Sequence, residues 1–167
     1  MLFVTVGTHN QGFDRLIKEA DKIAPQLAEK IFMQIGCTGY KPKNCAYKDF
    51  LPQKDFERAC MEASVIITHG GIGSIMTPLI MEKKIVVVPR LKEYNEHTDD
   101  HQLQITKELE NQKKIIAVYN IANLMDAIKK AKKFKVKSFE KNKKIPILIE
   151  TFIQKNYENR YSIKQMP

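Results

Sequence analysis

Val65-Ile-Ile-Thr-His-Gly-Gly-Ile-Gly-Ser74 is the stretch that decides the fold. Val65 to Thr68 is a short run of β-branched residues, which predicts a buried strand. His69-Gly-Gly-Ile-Gly73 is a turn signal, and a helix is predicted from about Ser74 to Glu82. Strand, glycine turn and helix in that order make half of a βαβ unit. The other half follows at once, because Ile85-Val-Val-Val88 reads as another buried strand, stopped by Pro89.

Working outward, the same alternation repeats. Upstream, Asp55 to Ala63 places Phe56, Ala59, Cys60 and Ala63 on one helical face, and a short strand is predicted around Ala46 to Lys48 after a loop carrying Gly39, Pro42 and Asn44. Ile31 to Ile35 is a strand closed by Gly36. Phe13, Leu16, Ile17, Ala20, Ile23 and Ala24 fall at helical spacing until Pro25 ends the run. Leu2 to Val6 is the first strand, and Gly7 to Gly12 the turn after it. Downstream come a polar loop around Asn95 to Asp99, a helix from near Asp100, a sixth strand at Ile115 to Val118, and a helix capped by Asn120 that reaches about Lys130. The pattern predicts an α/β domain with a Rossmann-like parallel sheet and helices on both faces. Strands this rich in Val and Ile suit burial on both sides.

The chain has 167 residues, enough for one domain with a terminal extension. Its 43% hydrophobic and 28% charged residues are the balance of a globular protein. Cys37, Cys45 and Cys60 are too few and too scattered for a disulfide framework or a zinc site. Neither a signal peptide nor a run of the roughly 20 apolar residues that span a bilayer is expected. The net charge of +9 is concentrated: Lys129 to Lys144 holds nine lysines against one acid, Glu140. Such a stretch is either a solvated helix face or a contact for an anionic lipid surface. Beyond it, Ile145, Leu148, Ile149, Phe152, Ile153 and Tyr157 share a helical face that packs on its own domain or docks a partner. Lysine without arginine, and few aromatics for stacking, argue against nucleic acid as a partner.

In parallel α/β sheets, ligands bind beyond the carboxyl ends of the strands. All four histidines, His9, His69, His97 and His101, lie in loops at those ends. The turn Thr68-His-Gly-Gly-Ile-Gly-Ser74 offers backbone that approaches a ligand closely, followed by a helix N-terminus whose free N–H groups and dipole favour an anion. Ser74 is placed to cap the helix or bond a phosphate oxygen. A turn needing glycine for packing alone is the competing reading. The P-loop tripeptide is missing, and the dinucleotide fingerprint has Met76 where its third glycine belongs, which argues against a nicotinamide cofactor. Asp99-Asp-His-Gln102 provides either first-turn charges for a helix or a set of acceptors and donors suited to sugar hydroxyls.

Val4 to His9, Phe13-Asp-Arg-Leu16, Thr68 to Ser74, Val87-Val-Pro-Arg90 and Asp99 to Gln102 together resemble the Alg13/PssE-type glycosyltransferase subunits. These are grouped with the C-terminal domains of glycosyltransferase family 28, alongside MurG-type enzymes. The resemblance covers roughly residues 1 to 130. It implies a GT-B fold divided between two polypeptides, with this chain as the donor-binding half. Residues 1–133 would be the UDP-sugar-binding domain, and residues 134–167 a basic linker and C-terminal helix. The partner would be a membrane-anchored Alg14/PssD-like acceptor subunit, and the acceptor a lipid-linked sugar. Bacterial pairs of this kind build capsule or exopolysaccharide repeat units; the eukaryotic pair adds the second N-acetylglucosamine to dolichol diphosphate. The chain would then work in the cytoplasm, held at the inner membrane face through its partner.

By the same resemblance, Gly70, Gly71, Gly73 and Ser74 match the diphosphate loop, and Gly7 and Thr8 the first glycine loop facing the same phosphates. Asp100 and Gln102 match the acid and glutamine that face the donor sugar, with Asp99 and His101 beside them. His69 heads the diphosphate loop. MurG-type domains carry a glutamate for the ribose three residues after the loop serine; here that position is Thr77, a departure shared by the Alg13/PssE branch. No metal or other cofactor is expected, since the chain has no Asp-x-Asp, and helix N-termini would meet the charge on the leaving UDP. Direct displacement with inversion is the implied chemistry, with UDP stabilised by Gly71, Gly73, Ser74 and His69. His9 is the candidate general base, unless the partner supplies it. Two other enzyme-pair readings stand beside this one: a non-catalytic enhancer subunit, and a stand-alone nucleotide-sugar enzyme.

Overall fold

The computed structural model describes residues 1–136. The basic stretch beyond Val136 and the apolar face from Ile145 to Tyr157 lie outside the described residues. Six strands form one parallel sheet: β1 (Leu2–Thr5), β2 (Ile31–Gln34), β3 (Ala46–Lys48), β4 (Val65–His69), β5 (Ile85–Val88) and β6 (Ile116–Ala117). Five helices connect them: α1 (Asp14–Ile23), α2 (Gln53–Glu62), α3 (Ile72–Ile80), α4 (His101–Asn111) and α5 (Leu124–Lys133). The strand order is β3-β2-β1-β4-β5-β6, so the winding direction reverses between β1 and β4. That order is the doubly wound Rossmann arrangement, whose ligand crevice opens at the reversal.

Strand residues alternate between two cores because successive side chains point to opposite faces. Leu2 and Val4 of β1, Val65 and Ile67 of β4, and Val86 and Val88 of β5 pack with Leu16, Ile17 and Ala20 of α1 and Ala127, Ile128 and Ala131 of α5. Phe3 and Ile66 turn the other way, onto Ala59 and Cys60 of α2. The strands β1, β4 and β5 are buried along their whole length, as their near-continuous apolar sequence requires, whereas β3 is an exposed edge.

The chain passes from β2 to the parallel strand β3 without a helix. Residues 35–45 are held instead by Asp21, a buried carboxylate on α1. It accepts hydrogen bonds from Lys43 N (3.0 Å), Asn44 N (2.8 Å) and Tyr40 Oη (2.8 Å). Several boundaries differ from the sequence reading. The sixth strand is shorter, Ile116–Ala117, and Asn120 caps a 3-10 turn, accepting from Ala122 N, before α5 begins. More consequentially, α3 starts at Ile72, two residues before Ser74. Gly71 takes the cap position with extended backbone (φ −75°, ψ 127°), and its carbonyl accepts from Ser74 N and Ile75 N. Ser74 is therefore inside the first turn and does not cap it.

Candidate functional site

A cleft of about 680 Å³ opens at the carboxyl ends of β1, β2 and β4. Gly7, Thr8, His9 and Asn10 line it from the loop after β1, Gln34 from the end of β2, and His69, Gly71, Gly73, Ser74 and Thr77 from β4 and α3. His97 and Gln102 close the β5 side; Leu51, Gln53 and Phe56 close the β2 side. Another cleft, of about 780 Å³, lies beside the amino ends of β1 and β2 and is lined by Leu27, Ile31 and Ala59 among others. Its lining holds no glycine and no histidine, so residues singled out in the sequence sit in the smaller one.

His69 is the centre of the cleft floor. Its ring, 8% exposed, lies between Gly7 and Gly71, and a β-carbon on either glycine would run into it. Gly7 also has φ +72°, so both sterics and backbone exclude a side chain there. The ring nitrogens are both engaged: Nδ1 accepts from Gly71 N at 3.0 Å, and Nε2 is 3.0 Å from Ser74 Oγ. Accepting at Nδ1 puts the single proton of the neutral ring on Nε2, which donates to Ser74. The serine hydroxyl proton is thereby turned away from His69 and offered to the cleft.

Burial, reinforced by the Arg90 charge, pushes the His69 pKa down to about 3. The folded ring stays neutral while an unfolded one takes a proton near pH 6.5. Stability is therefore expected to fall as the pH drops from about 6.5 toward 3, with a slope of up to about 1.4 kcal/mol per pH unit from this group. Urea denaturation at pH 7 and pH 5 measures it, and the slope flattens in His69→Asn. An unchanged slope in that variant refutes the assignment.

His9 repeats the arrangement, its Nδ1 accepting from Gln11 N at 3.1 Å. Burial, Arg90 and His97 all lower its pKa, so it too is a neutral ring with its proton on Nε2. His97 stacks on it, with ring centroids 5.0 Å apart. His97 Nδ1 lies 3.3 Å from Asp99 N and 3.1 Å from Asp99 Oδ1. The backbone N–H of Asp99 donates to Nδ1, as the backbone does at His69 and His9, and an accepting Nδ1 leaves the ring proton on Nε2 here too.

The structure gathers Gly7, Thr8, His9, His69, Gly71, Gly73, Ser74 and Gln102 around one cleft. Gly70 is beside it, pressed against Gln102 and Thr106, and acts through its N–H. Of the four residues expected to face the sugar, only Gln102 lines the cleft. Its Oε1 accepts from Gly70 N (2.8 Å) and Arg90 N (3.1 Å), tying the β4–α3 turn to the loop after β5. Asp99 is occupied by His97, by His101 N (3.1 Å) and by His101 Nε2 (3.7 Å). Asp100 is exposed and accepts from Lys92 N at 3.0 Å. Spacing in a sequence shows that such groups are near one another; it does not show that they satisfy each other.

Three residues that the motif reading gave no role hold the cleft together. Arg90 is fully buried and donates to the carbonyls of Gln11, Gly12 and Glu96 through Nη1 and of Val6 through Nη2, with its guanidinium 4.8 Å from the Phe13 ring centroid. Glu96 accepts from Leu91 N and pairs with Arg15 at 2.8 Å. Gln34 is 3% exposed and donates to the Gly7 carbonyl at 3.3 Å. The signal for Gln34 and Arg90 is a polar or charged residue at, or just after, the end of an apolar strand; Glu96, in a polar loop, carries no such signal. Among the described residues there is no group of three His, Cys, Asp or Glu side chains that could hold a metal ion, and no helix long and apolar enough to cross a membrane.

Several solved glycosyltransferase structures are similar to this chain in fold. The glycosyltransferase of kitacinnamycin aligns over 78% of this chain and 34% of its own, at 18% identity and a TM-score of 0.61. CalG4, the calicheamicin glycosyltransferase, aligns over 77% and 34%, at 15% identity and a TM-score of 0.59. The solution structure of ALG13 aligns over 83% of this chain and 88% of its own, at 16% identity and a TM-score of 0.58. The chain thus spans about a third of the first two proteins and most of the third. No curated protein matches it. The sheet is the Rossmann-like C-terminal half of the GT-B fold. The model of the glycosyltransferase family 28 C-terminal domain matches residues 1–159, and the chain belongs to that family.

Proposed function

We propose that this chain is the donor-binding, catalytic subunit of a two-component glycosyltransferase. It takes a sugar from a UDP-sugar to a lipid-linked acceptor, in the synthesis of a polysaccharide or glycan. The acceptor site belongs to a membrane-anchored, Alg14/PssD-like subunit, which holds this chain at the cytoplasmic membrane face. The observation that carries the reading is the cradle at α3. The open first turn, the outward-turned Ser74 hydroxyl and the glycine at position 73 converge on one point of the cleft, at the reversal of the sheet. The match to ALG13, over 83% of this chain and 88% of that one, supports the two-component reading.

In this reading the acceptor hydroxyl oxygen bonds to the anomeric carbon as the bond from that carbon to the diphosphate breaks, with inversion. UDP leaves with the bonding pair, and its charge is met by the N–H groups of α3 and by Ser74. The hydroxyl proton needs a base. His9, His69 and His97 each accept a backbone N–H at Nδ1 and present N–H to the cleft, so the base is assigned to the partner subunit. His9 is accordingly assigned to binding.

The test is transfer of sugar to a lipid-linked acceptor by the chain alone and by the chain with its partner subunit. Activity is expected only in the pair, where His9→Ala mainly raises KM. Full activity of the isolated chain overturns the two-component reading. A loss of kcat of about 100-fold or more in His9→Ala, with KM unchanged, returns the base to His9.

A further inference from the structure

Gln34 Oε1 is buried and has no hydrogen-bond partner among the described residues, although Gln34 lines the cleft. The amide cannot be flipped to cure this. Its Nε2 donates to the Gly7 carbonyl, and the reverse orientation would set two acceptors against each other. An amide oxygen buried without a donor is costly, and in native structures such an atom calls for a missing partner.

The position of Gln34 says what the partner is. Across the sheet, the loops run from Gln34 on β2, through Gly7 to His9 on β1, to His69 through Ser74 on β4, and to Gln102 beside β5. The diphosphate cradle is on β4 and α3. A nucleoside diphosphate sugar seated there has one end on the β5 side and the other on the β2 side. The β5 side carries His97 and Gln102, which suit a hexose, and the β2 side carries Leu51 and Phe56, which suit a flat base. Gln34 touches Gly7, whose α-carbon abuts the His69 ring, so it lies next to the cradle itself. The part of the ligand bonded directly to the α-phosphate is the ribose, and its hydroxyls are donors. Thr77, one turn along α3, has no carboxylate to receive them.

We infer that Gln34 is a donor-nucleotide-binding residue whose Oε1 accepts a hydrogen bond from a ribose hydroxyl. This rests on the donor-site reading above. The general logic matches dinucleotide folds, where an acceptor at the end of the second strand takes the ribose diol. A neutral amide in that place adds no negative charge beside the diphosphate.

Calorimetric titration of the full chain with UDP, 2′-deoxy-UDP and 3′-deoxy-UDP tests the assignment. One deoxy analogue is expected to bind about tenfold or more weaker than UDP, because it leaves the amide oxygen unpaired again. Gln34→Met is expected to bind UDP about as weakly as the native chain binds that analogue, and to lose the discrimination. Two results overturn the inference: UDP and both analogues binding alike to the native chain, or Gln34→Met retaining the discrimination. The first of these needs no variant and is immune to folding defects. Failure of UDP itself to bind is a different result; it removes the donor-site reading and the Gln34 assignment together.

Discussion

Gly73→Val is expected to abolish glycosyl transfer by the pair while leaving the fold in place. Among the described residues, its own helix turn and chain neighbours aside, no atom lies within 4 Å of where the β-carbon of residue 73 would sit, and the residue lines the cleft in the first turn of α3. A β-carbon there meets open space. Valine is also a slightly better helix former than glycine, by roughly a few tenths of a kcal/mol. What the isopropyl group occupies is the approach of an anion to the free N–H groups of the turn. Hydrogen bonds to a charged acceptor contribute roughly 1.5–3 kcal/mol each. Blocking two of them lowers UDP affinity by about 100-fold or more. Gly71 supplies the contrast, since a β-carbon there strikes the His69 ring and its substitution damages the fold. Calorimetry with UDP and a melting curve for each variant separate the two. A Gly73→Val chain that melts normally and binds UDP at native affinity refutes the phosphate cradle.

The sheet was legible because its strands are short apolar runs ended by glycine, proline or histidine, and burial on both faces leaves few alternatives for such runs. The cleft was legible in outline for the same reason: unusual residues clustered after strands. What stayed hidden was pairwise. A cap rule looks for serine at a helix start, and Ser74 invited that reading. Gly71 caps instead because its extended backbone already supplies the first carbonyl, which frees Ser74 to take the His69 proton. Asp99 and His101 looked ready for a sugar because nothing in a string of letters shows that they bond to each other and to His97. Gln34 sat in a run read only as a strand. A lone amide at the carboxyl end of a buried strand is a usable signal, since burial there demands a partner.

Arg90→Met is expected to destabilise the domain by about 3–5 kcal/mol, the cost of breaking a buried charge network. A residue following Val86-Val-Val-Pro89 would ordinarily be placed at the surface; here the guanidinium is the largest fully buried side chain. Burial lowers its pKa only to about 10, with Glu96 opposing the shift, so it remains charged at neutral pH. Methionine fills similar volume but donates nothing. The carbonyls of Val6, Gln11, Gly12 and Glu96 then lose their donor, and the loops after β1 and β5 lose their common tie. Lysine does not restore it, because one ammonium cannot reproduce a planar fork aimed at four oxygens. Against a total stability of roughly 5–15 kcal/mol, such a loss leaves the variant marginal. Urea denaturation checks the magnitude, and a loss below about 1 kcal/mol refutes the role. A second readout separates position from mere packing. The Arg90 charge helps hold the His9 pKa down, so in Arg90→Met that pKa rises, and titration of the imidazole by NMR at temperatures where the variant is folded detects it. Were packing alone at stake, stability would fall and His9 would titrate as before.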